Sequence, residues 1–286
     1  MVNGTRDAGR AVVIGGGTMG AGIAAALARA GFGTELVEVS EELATEGIDH
    51  ALKTITDGVA RNRITAGDGE AAKARLHGRV GIAAATPQPR LAIEAVPERF
   101  ELKVEILGEA ERTLEPQLLA TNTSGISITD LAEPLSDPSR FLGLHFFNPV
   151  PAMALVEVVL GEQTSESTAD AATALVAELG KEAVVVGDSP GFASSRLGLV
   201  LGLEAIRMVE QGVAGPADID RAMVLGYRHP VGPLRLTDII GLDVRLDIAR
   251  NLQGVYGDRF APPPLLEQMV AEGKLGKKVG RGFFEW

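Results

Sequence analysis

The sequence predicts an α/β fold in roughly its first two thirds, followed by an all-α domain. Short apolar runs alternate with helical patterns from residue 11 to residue 187, which is typical of successive βαβ units. Glycines at fixed spacing separate the first apolar run from the first helical pattern. Residues 188–286 show helical spacing and no clear strand. Together these observations favour a parallel sheet with crossover helices, then a separate helical domain.

The first unit of the sheet is a strand, a helix and a second strand. AVVIG at 11–15 is a buried strand, and an Ala-rich helix runs from the glycine turn through Ala30. Gly31 and Gly33 are expected to end that helix. TELVEV at 34–39 forms the second strand. This order implies parallel strands joined by a right-handed crossover.

A helical hairpin is expected to interrupt the alternation. Ile48, Leu52, Ile55 and Val59 recur at spacings of four, three and four, which defines one helical face. Residues 64–76 are interpreted as a turn and a returning helix, so the hairpin is treated as an insertion. The alternation then resumes with strands at 91–96 and 118–122, a helix at 98–114 between them, and a last strand at 182–187.

Two apolar runs around a proline-containing loop form a predicted β-hairpin. The runs lie at 141–147 and 153–160, and Pro149 and Pro151 interrupt them. If the strands pair back to back, His145 and Glu157 lie opposite each other, with Cβ atoms about 5 Å apart. This geometry suits a general base and the carboxylate that orients it. A buried pair that merely satisfies its own polar groups is the alternative.

The helical domain is expected to begin after the last strand, which gives a first domain at 1–187 and a second at 188–286. Its segment LGLVLGLEAI is apolar on nearly every side. Such a helix must be buried all round, and a small helical domain rarely covers it. The pattern therefore predicts a homodimer through the helical domain, with coverage by neighbouring helices of the same domain as the alternative.

The glycine turn has the spacing G-x-G-x-x-G between a strand and a helix, which is the context of a dinucleotide site. Glu38 ends the second strand, where an acid hydrogen-bonds the ribose hydroxyls and repels a 2′-phosphate. These features predict a Rossmann-type domain that binds NAD rather than NADP. The predicted loop contacts are Gly15, Gly17, Thr18, Met19 and Gly20.

Composition narrows the class of protein. The net charge of −11 argues against non-specific binding to nucleic acid and to anionic membranes. The chain has no cysteine, so thiolate catalysis and disulfides are excluded, and a cytoplasmic location is expected. Its four histidines are scattered, and no metal site is expected. No apolar run is long and unbroken enough to span a bilayer.

With these motifs in place, the chain resembles the L-3-hydroxyacyl-CoA dehydrogenases, in particular the short bacterial 3-hydroxybutyryl-CoA type. The resemblance covers essentially the whole chain. Its further motifs are EAVPERFELK at 94–103, ATNTSGISI at 120–128, GLHFFNPVPAMALVEVV at 143–159, DSPGF at 188–192 and GYRHPVGPLRLTDIIGLD at 226–243. It implies reversible, NAD-dependent oxidation of a 3-hydroxyacyl-CoA, and leaves open the chain length and the pathway, whether fatty-acid, butanoate or aromatic-acid degradation.

The resemblance also implies catalytic roles for single residues. His145 would take the proton from the substrate 3-hydroxyl. Glu157 would hold and polarise His145. Ser124 would contact the substrate oxygen or thioester region, and Asn148 would lie beside nicotinamide and substrate. Ser124 and Asn148 also fit ordinary turns, which favour these residue types for local reasons.

Cofactor and CoA contacts are implied in the same way. Glu98 and Lys103 would contact the cofactor, and Lys278 would approach it from the helical domain, although a solvated charge is the alternative for Lys278. The hairpin at about 41–77 would cover the CoA moiety. Lys53 is taken as the residue that contacts the CoA phosphates, with Arg61 and Arg63 as equal alternatives.

One position departs from the family pattern. The family usually has P-G-F-x-x-N-R at the start of the second domain, and here the sequence is PGFASSR. Ser195 therefore stands where an active-site asparagine is expected. A serine still donates a hydrogen bond to substrate but reaches less far, which puts in doubt how the thioester carbonyl or His145 is held.

Rival functions remain open. Dehydrogenases of a free hydroxy acid or polyol, of the L-gulonate or carnitine type, share the His and Glu. A non-catalytic NAD-binding protein, as in lens crystallins, would need neither. The 3-hydroxyisobutyrate and 6-phosphogluconate dehydrogenases use a lysine on the long helix after the Rossmann domain, and SSRLGLVLGLEAIRMVEQG has none, so they are rejected.

Overall fold

The computed structural model describes residues 8–286. They divide into two compact units, one ending at Ser189 and the other spanning Pro190–Trp286. This division lies two residues beyond the position expected from the sequence. Among the described residues, no helix has the length and apolar character needed to cross a lipid bilayer.

Residues 8–189 of the first unit form eight strands and six α-helices. The strands are β1 (Arg10–Ile14), β2 (Gly33–Glu38), β3 (Leu76–Val80), β4 (Leu91–Glu94), β5 (Leu118–Thr121), β6 (Phe141–Phe146), β7 (Leu155–Leu160) and β8 (Glu182–Gly187). The helices are α1 (Thr18–Ala30), α2 (Glu41–Ala60), α3 (Ala66–Lys73), α4 (Phe100–Leu114), α5 (Ile128–Ala132) and α6 (Glu166–Glu178).

All eight strands form one sheet in the order β3-β2-β1-β4-β5-β6-β7-β8. Every neighbouring pair is parallel except β6 and β7, which are antiparallel. The central strands β4, β5 and β6 are buried along their whole length, as expected for a sheet covered on both faces. The predicted Rossmann-type fold is confirmed.

Helix α1 packs closely on the sheet because its residues are small. Its Ala- and Gly-rich stretch from Gly20 to Ala28 is buried. Gly31 ends the helix in the left-handed region with φ 103°, where a residue without a Cβ is favoured. The expectation that Gly33 also ends α1 is wrong, because Gly33 pairs with Arg10 as the first residue of β2.

The helical hairpin is present, but it ends in a strand that the sequence did not predict. Helix α2 begins after Ser40, whose side chain accepts from the Leu43 backbone N–H, and its apolar face enters the core of the unit through Ala51 and Ile55. The returning helix ends at Lys73 rather than at residue 76. Residues 76–80 instead pair with β2, and this tertiary pairing overrides a local sequence with weak strand propensity.

The second unit is helical, consistent with the predicted all-α domain. It contains α7 (Ser194–Glu210), α8 (Pro216–Tyr227), α9 (Pro233–Ile240), α10 (Leu242–Tyr256) and α11 (Pro264–Ala271). Its core includes Leu199, Leu203 and Ile206 of α7. Within the single chain the neighbouring helices do not cover α7 all round, as expected for a small helical domain, so the alternative of full coverage within the domain is not realised. The other side of α7 is exposed at Leu197, Val200 and Leu201.

The C-terminal segment is held in place by one buried carboxylate. Asp238 of α9 is fully buried and accepts hydrogen bonds from the backbone N–H groups of Phe283 and Phe284, each at 2.9 Å. It also accepts from the indole Nε1 of Trp286 at 2.9 Å. Hydrogen bonds to a buried charge are among the stronger interactions in proteins. Asp238 therefore fixes the last residues of the chain on the helical unit.

Asp238→Ala is predicted to release this segment and to destabilise the protein by about 2–4 kcal/mol, because three partly buried donors lose their buried, charged acceptor. Trp286 is the single tryptophan of the chain, so its fluorescence emission should shift to longer wavelength. Glu285→Ala is the matched control, since that side chain is 80% exposed. An unchanged emission maximum and urea midpoint in Asp238→Ala would contradict this role.

Candidate active site

The glycine turn after β1 leaves space for a ligand. Gly15 has φ 103°, and a Cβ on it would lie 2.8 Å from the Ala95 carbonyl oxygen. A Cβ on Gly20 would lie 1.8 Å from the carbonyl oxygen of Gly15. Gly17, in contrast, has no neighbouring atom within 4 Å of such a Cβ. The first and third glycines are thus required by packing, and the second faces open space where a pyrophosphate approaches the backbone.

The N-terminus of α1 is suited to an anion. Gly17 caps the helix without a side-chain hydrogen bond, and the first turn contains no acidic residue. Backbone N–H groups and the helix dipole therefore remain available for a phosphate. The residues present fit the nucleotide predicted from the sequence.

Glu38 lies beside the same turn at the end of β2. Its Oε1 accepts a hydrogen bond from the Gly16 backbone N–H at 2.5 Å, and its Oε2 accepts from Val39 N–H at 3.1 Å. The structure therefore brings this carboxylate next to the glycine turn. That is the position at which an acid meets the ribose hydroxyls.

A buried ion pair supports the loop after β4. Glu94 and Lys103 have side chains 0% and 1% exposed, and Lys103 Nζ lies 2.7 Å from Glu94 Oε1. The other Glu94 oxygen accepts from Thr121 Oγ1 at 2.6 Å, which links β4 to β5. A buried pair is tolerated when its remaining polar sites are satisfied, as they are here. Little of Lys103 is accessible to a ligand.

Lys103 also contacts Glu98, whose carboxylate accepts hydrogen bonds from the loop after β5. Lys103 Nζ is 3.2 Å from Glu98 Oε2. Glu98 Oε1 accepts from Thr123 Oγ1 at 2.6 Å, from Ser124 N–H at 2.8 Å and from Ser124 Oγ at 3.1 Å. Burial opposes ionisation of Glu98, but the Lys103 charge and these hydrogen bonds hold the pKa of its carboxyl below the ordinary 4.5. Three predicted site residues, Glu98, Lys103 and Ser124, are thus in one network.

His145 and Glu157 pair across β6 and β7. They are register partners in the antiparallel ladder, so the predicted alignment is confirmed. His145 Nδ1 lies 2.8 Å from Glu157 Oε2, with side chains 7% and 1% exposed. The imidazole also stacks obliquely on Phe147, with ring centroids 4.4 Å apart. A bond at Nδ1 fixes the ring orientation and directs Nε2 away from the carboxylate.

The loop between β6 and β7 carries Asn148, which is exposed and precedes Pro149 through a cis peptide bond. Lys181 holds this loop, because its ammonium donates to the carbonyl oxygens of Val150 and Met153, each at 2.6 Å. Burial, and then the nearby charge of Arg29, lower the pKa of Lys181. This lysine positions the segment that carries Asn148.

Sequence reasoning missed three residues that shape this region: Glu94, Asn122 and Lys181. Asn122 Oδ1 accepts from the Phe146 backbone N–H at 2.9 Å, which ties the loop after β5 to the end of β6. Glu94 and Asn122 belong to the motifs EAVPERFELK and ATNTSGISI. For Glu94, the sequence signal was an acid inside the apolar run LAIEAV, which indicates a buried carboxylate with a partner. Nothing local marks Lys181, whose partners lie about thirty residues earlier in the chain.

The remaining predicted residues are not members of these hydrogen-bond networks. Lys53 is exposed on α2 and pairs with Asp57 at 3.0 Å. Arg61 and Arg63 are exposed in the turn after α2. Ser195 and Lys278 belong to the second unit, where Ser195 is half-buried in the first turn of α7. Lys278 Nζ lies 2.7 Å from Asp243 Oδ1.

Comparison with known proteins places both units in one family. The model of the 3-hydroxyacyl-CoA dehydrogenase NAD binding domain matches residues 10–189. The model of the 3-hydroxyacyl-CoA dehydrogenase C-terminal domain matches residues 191–286. The chain therefore belongs to the 3-hydroxyacyl-CoA dehydrogenase family, and NAD is its cofactor.

Within this family the chain is similar to bacterial 3-hydroxybutyryl-CoA dehydrogenases. It is 41% identical over 280 residues to a probable 3-hydroxybutyryl-CoA dehydrogenase of Bacillus subtilis, covering 96% of each chain. It is 40% identical to a 3-hydroxybutyryl-CoA dehydrogenase of Mycobacterium tuberculosis, covering 97% of this chain and 98% of that one. The crystal structure of the (S)-3-hydroxybutyryl-CoA dehydrogenase from Ralstonia eutropha matches with a TM-score of 0.91, at 38% identity over 97% and 98% of the two chains.

Proposed function

We propose that this chain catalyses the reversible, NAD-dependent oxidation of a short-chain L-3-hydroxyacyl-CoA, such as 3-hydroxybutyryl-CoA, to the 3-oxoacyl-CoA. The observation that carries the proposal is the buried His145–Glu157 pair at 2.8 Å, in a chain of this family. A secondary alcohol needs a base that works near neutral pH, and imidazole meets that need. Proton removal by His145 requires neither a metal nor a covalent nucleophile.

His145 serves as the general base in this proposal. Glu157 is bound to Nδ1, so Nε2 receives the proton of the substrate 3-hydroxyl. The imidazolium that results lies beside the Glu157 carboxylate, whose charge stabilises it in a site nearly closed to water. In the reverse direction His145 returns the proton to the 3-oxo oxygen.

The cofactor supplies hydride acceptance when it is bound, and the chain supplies its orientation. The open backbone at Gly17 and the N-terminus of α1, with Thr18 and Met19, would hold the pyrophosphate. Glu38 would hold the adenosine ribose. Glu98 would contact the cofactor, whereas the burial of Lys103 supports a role in fixing Glu98 rather than in direct contact. Lys278 stays a proposed contact to the cofactor.

Substrate contacts complete the proposal. Ser124, held by Glu98, and Asn148 would contact the substrate near its reacting oxygen, and Ser195 would substitute for the family asparagine. Lys53 on α2, or Arg61 or Arg63 beside it, would meet the CoA phosphates. The expected partners are the acyl-CoA substrate and a second copy of the chain. No nucleic acid or membrane partner is expected. The expected location is the cytoplasm.

One assay separates this function from its alternatives. Turnover of acetoacetyl-CoA with NADH is expected, and a non-catalytic NAD-binding protein would show none. A dehydrogenase of free hydroxy acids would oxidise 3-hydroxybutyrate without CoA at a comparable rate. Turnover of the free acid alone would contradict the proposed substrate class.

His145→Gln is predicted to lower kcat by about 10²–10⁴-fold, the usual contribution of general acid–base catalysis. NADH binding should survive, because the proposed contacts to the pyrophosphate and the adenosine ribose lie on the glycine turn, α1 and β2 and do not involve His145. His77→Gln is the matched control, since His77 is exposed on the edge strand β3. Steady-state rates with acetoacetyl-CoA and fluorescence titration of NADH measure the two effects. Near-normal turnover in His145→Gln would end the assignment.

Glu38→Ala is predicted to weaken NAD binding by about 10–100-fold, because the ribose hydroxyls lose a charged acceptor. Binding of NADP should change much less, since removal of the carboxylate also removes its repulsion of the 2′-phosphate. Glu42→Ala, an exposed acid in the first turn of α2, is the control. A wild-type protein that already prefers NADPH would contradict this role.

A homodimer through the helical unit forms part of the proposal. Leu197, Val200 and Leu201 are 64%, 36% and 40% exposed along one side of α7. These residues stand at positions i, i+3 and i+4 of the helix, so they share one apolar face. A twofold interface between two copies is the commonest way to cover such a face. A partner copy would thus provide the burial that the sequence of α7 predicts.

Light scattering is predicted to give about twice the 29.9 kDa chain mass. Leu201→Arg should give monomer or aggregate, because a charge in a buried apolar interface lacks a partner. Leu43→Arg is the matched control, with 42% exposure on α2 of the first unit. A monomeric wild type at micromolar concentration would refute the dimer. A stable Leu201→Arg dimer would show that the interface uses another face.

A further inference from the structure

Four polar residues at 121–124 end β5 and begin the loop after it. Both threonines and the serine donate their hydroxyls to the carboxylates of Glu94 and Glu98, at 2.6–3.1 Å. Asn122 differs from these neighbours, because its side chain reaches the adjacent strand β6. Its Oδ1 accepts a hydrogen bond from the backbone N–H of Phe146 at 2.9 Å. Asn122 therefore connects two strands at the end of the sheet where the candidate site lies.

This contact continues the pairing of β5 with β6 beyond the end of β5. The register of the two strands ends with Thr121 opposite Gly143. On its other side β6 pairs with β7 as far as Phe146. The side-chain oxygen of Asn122 thus acts on the β5 side as a strand carbonyl would. The backbone of Asn122 is itself fixed, since its N–H donates to the Glu94 carbonyl oxygen at 2.8 Å.

The N–H that Asn122 accepts belongs to the peptide unit directly after His145. A peptide unit is planar, so a fixed Phe146 N–H also fixes the orientation of the His145 carbonyl group. From β7, Glu157 holds the imidazole ring at Nδ1, at 2.8 Å. Asn122 thus holds the backbone of His145 while Glu157 holds its side chain. Both contacts are needed to give Nε2 one position and one direction.

Little water competes for this contact. Phe146 is 2% exposed, and Asn122 is half-buried. An enclosed N–H that loses its acceptor must stay unpaired or move towards water. Movement of the Phe146 N–H would shift the end of β6, and His145 would move with it.

We propose that Asn122 is a positioning residue for the reaction: through the Phe146 N–H it holds the peptide after His145, so that Nε2 meets the substrate 3-hydroxyl. The amide oxygen of Asn122, and not its N–H₂ group, has this role. The inference rests on the proposed function, because that function makes His145 the general base. Proton transfer depends closely on geometry, and a displacement of about 1 Å costs up to about 100-fold in rate.

Two substitutions of nearly equal size test the role of the oxygen. Asn122→Asp keeps an acceptor for the Phe146 N–H, and Asn122→Leu removes it. With acetoacetyl-CoA and NADH, Asn122→Leu should lower kcat by about 10–100-fold. The KM for acetoacetyl-CoA and the Kd for NADH should change by less than about threefold, because the lost interaction acts on His145 rather than on a ligand. Asn122→Asp should keep kcat within about fivefold of the wild type, since the hydrogen bond is retained.

Gln117→Leu is the matched control. Gln117 is exposed and directly precedes β5, at the opposite end of the strand from Asn122. Loss of its side-chain amide should leave kcat, KM and Kd unchanged. If Asn122→Leu does not fold, Asn122→Ala replaces it, because it removes the acceptor without adding a branched side chain. The urea midpoint of each variant shows whether it is folded.

Amide hydrogen exchange of Phe146 gives a readout that does not depend on turnover. Exchange should be at least about 10-fold faster in Asn122→Leu and near the wild-type rate in Asn122→Asp, because local opening follows the loss of the acceptor. A general loss of stability would instead speed exchange in the buried strand β4 as well. Unchanged exchange at Phe146 in Asn122→Leu would overturn the inference.

The kinetic outcomes also decide the inference. Near-normal kcat in Asn122→Leu or Asn122→Ala would overturn it. Asn122→Asp as slow as Asn122→Leu would show that the retained oxygen is not sufficient, and a raised KM or Kd in both variants would assign the N–H₂ group to a ligand contact. Either result overturns the positioning role and leaves the proposed function intact. A wild type that does not reduce acetoacetyl-CoA overturns both.

Discussion

The antiparallel pairing of β6 with β7 is the constraint on which the candidate active site depends. Among the strands of residues 8–189 it is the one antiparallel pair, and its register puts His145 opposite Glu157 with their side chains on one face. Both side chains are almost fully enclosed. In such surroundings a carboxylate and an imidazole bind each other strongly because little water competes. A shift of one residue would send one of the two side chains to the other face of the sheet.

The rest of the first unit supplies fixed positions around that pair. Asn122 connects the loop after β5 to the end of β6. Glu98 holds Ser124, and the buried Glu94–Lys103 pair holds Glu98 from behind. These groups follow the carboxyl ends of neighbouring strands, where ligands bind in open α/β sheets. Rigid strands and short hydrogen-bonded loops give the site its geometry.

Sequence patterns sufficed for the parts of this arrangement that local chemistry determines. The glycine turn follows from the clash that any side chain on Gly15 or Gly20 would cause. The partnership of His145 with Glu157 follows from pairing two strands back to back around Pro151, which puts these two residues opposite each other. Strand β3 was not predictable, because LHGRV becomes a strand only by pairing with β2. The contact of Asn122 with β6 was hidden for the same reason, since no local pattern reports which strand lies beside its side chain.

The role of Glu38 was predicted from its place at the end of the second strand after the glycine turn. The roles of Ser124, Asn148 and Ser195 came from residue-by-residue resemblance, and all four roles stay predictions. What the fold adds is a physical cause for some of them. Glu38 is held beside the glycine turn by Gly16, and Ser124 is held by an ionised Glu98. For Ser195, which lies in the first turn of α7, the fold of residues 8–286 adds no hydrogen bond that would explain the proposed role.

The central claim is that His145 and Glu157 act as one catalytic unit, and a double-mutant cycle tests it most directly. His145→Gln, Glu157→Gln and the double variant would be compared in kcat with acetoacetyl-CoA and NADH. If Glu157 acts only through His145, the double variant should be no slower than His145→Gln alone, within about threefold, because residues that act together are strongly non-additive. Multiplicative losses would contradict the account, since they would mean that each residue contributes independently of the other.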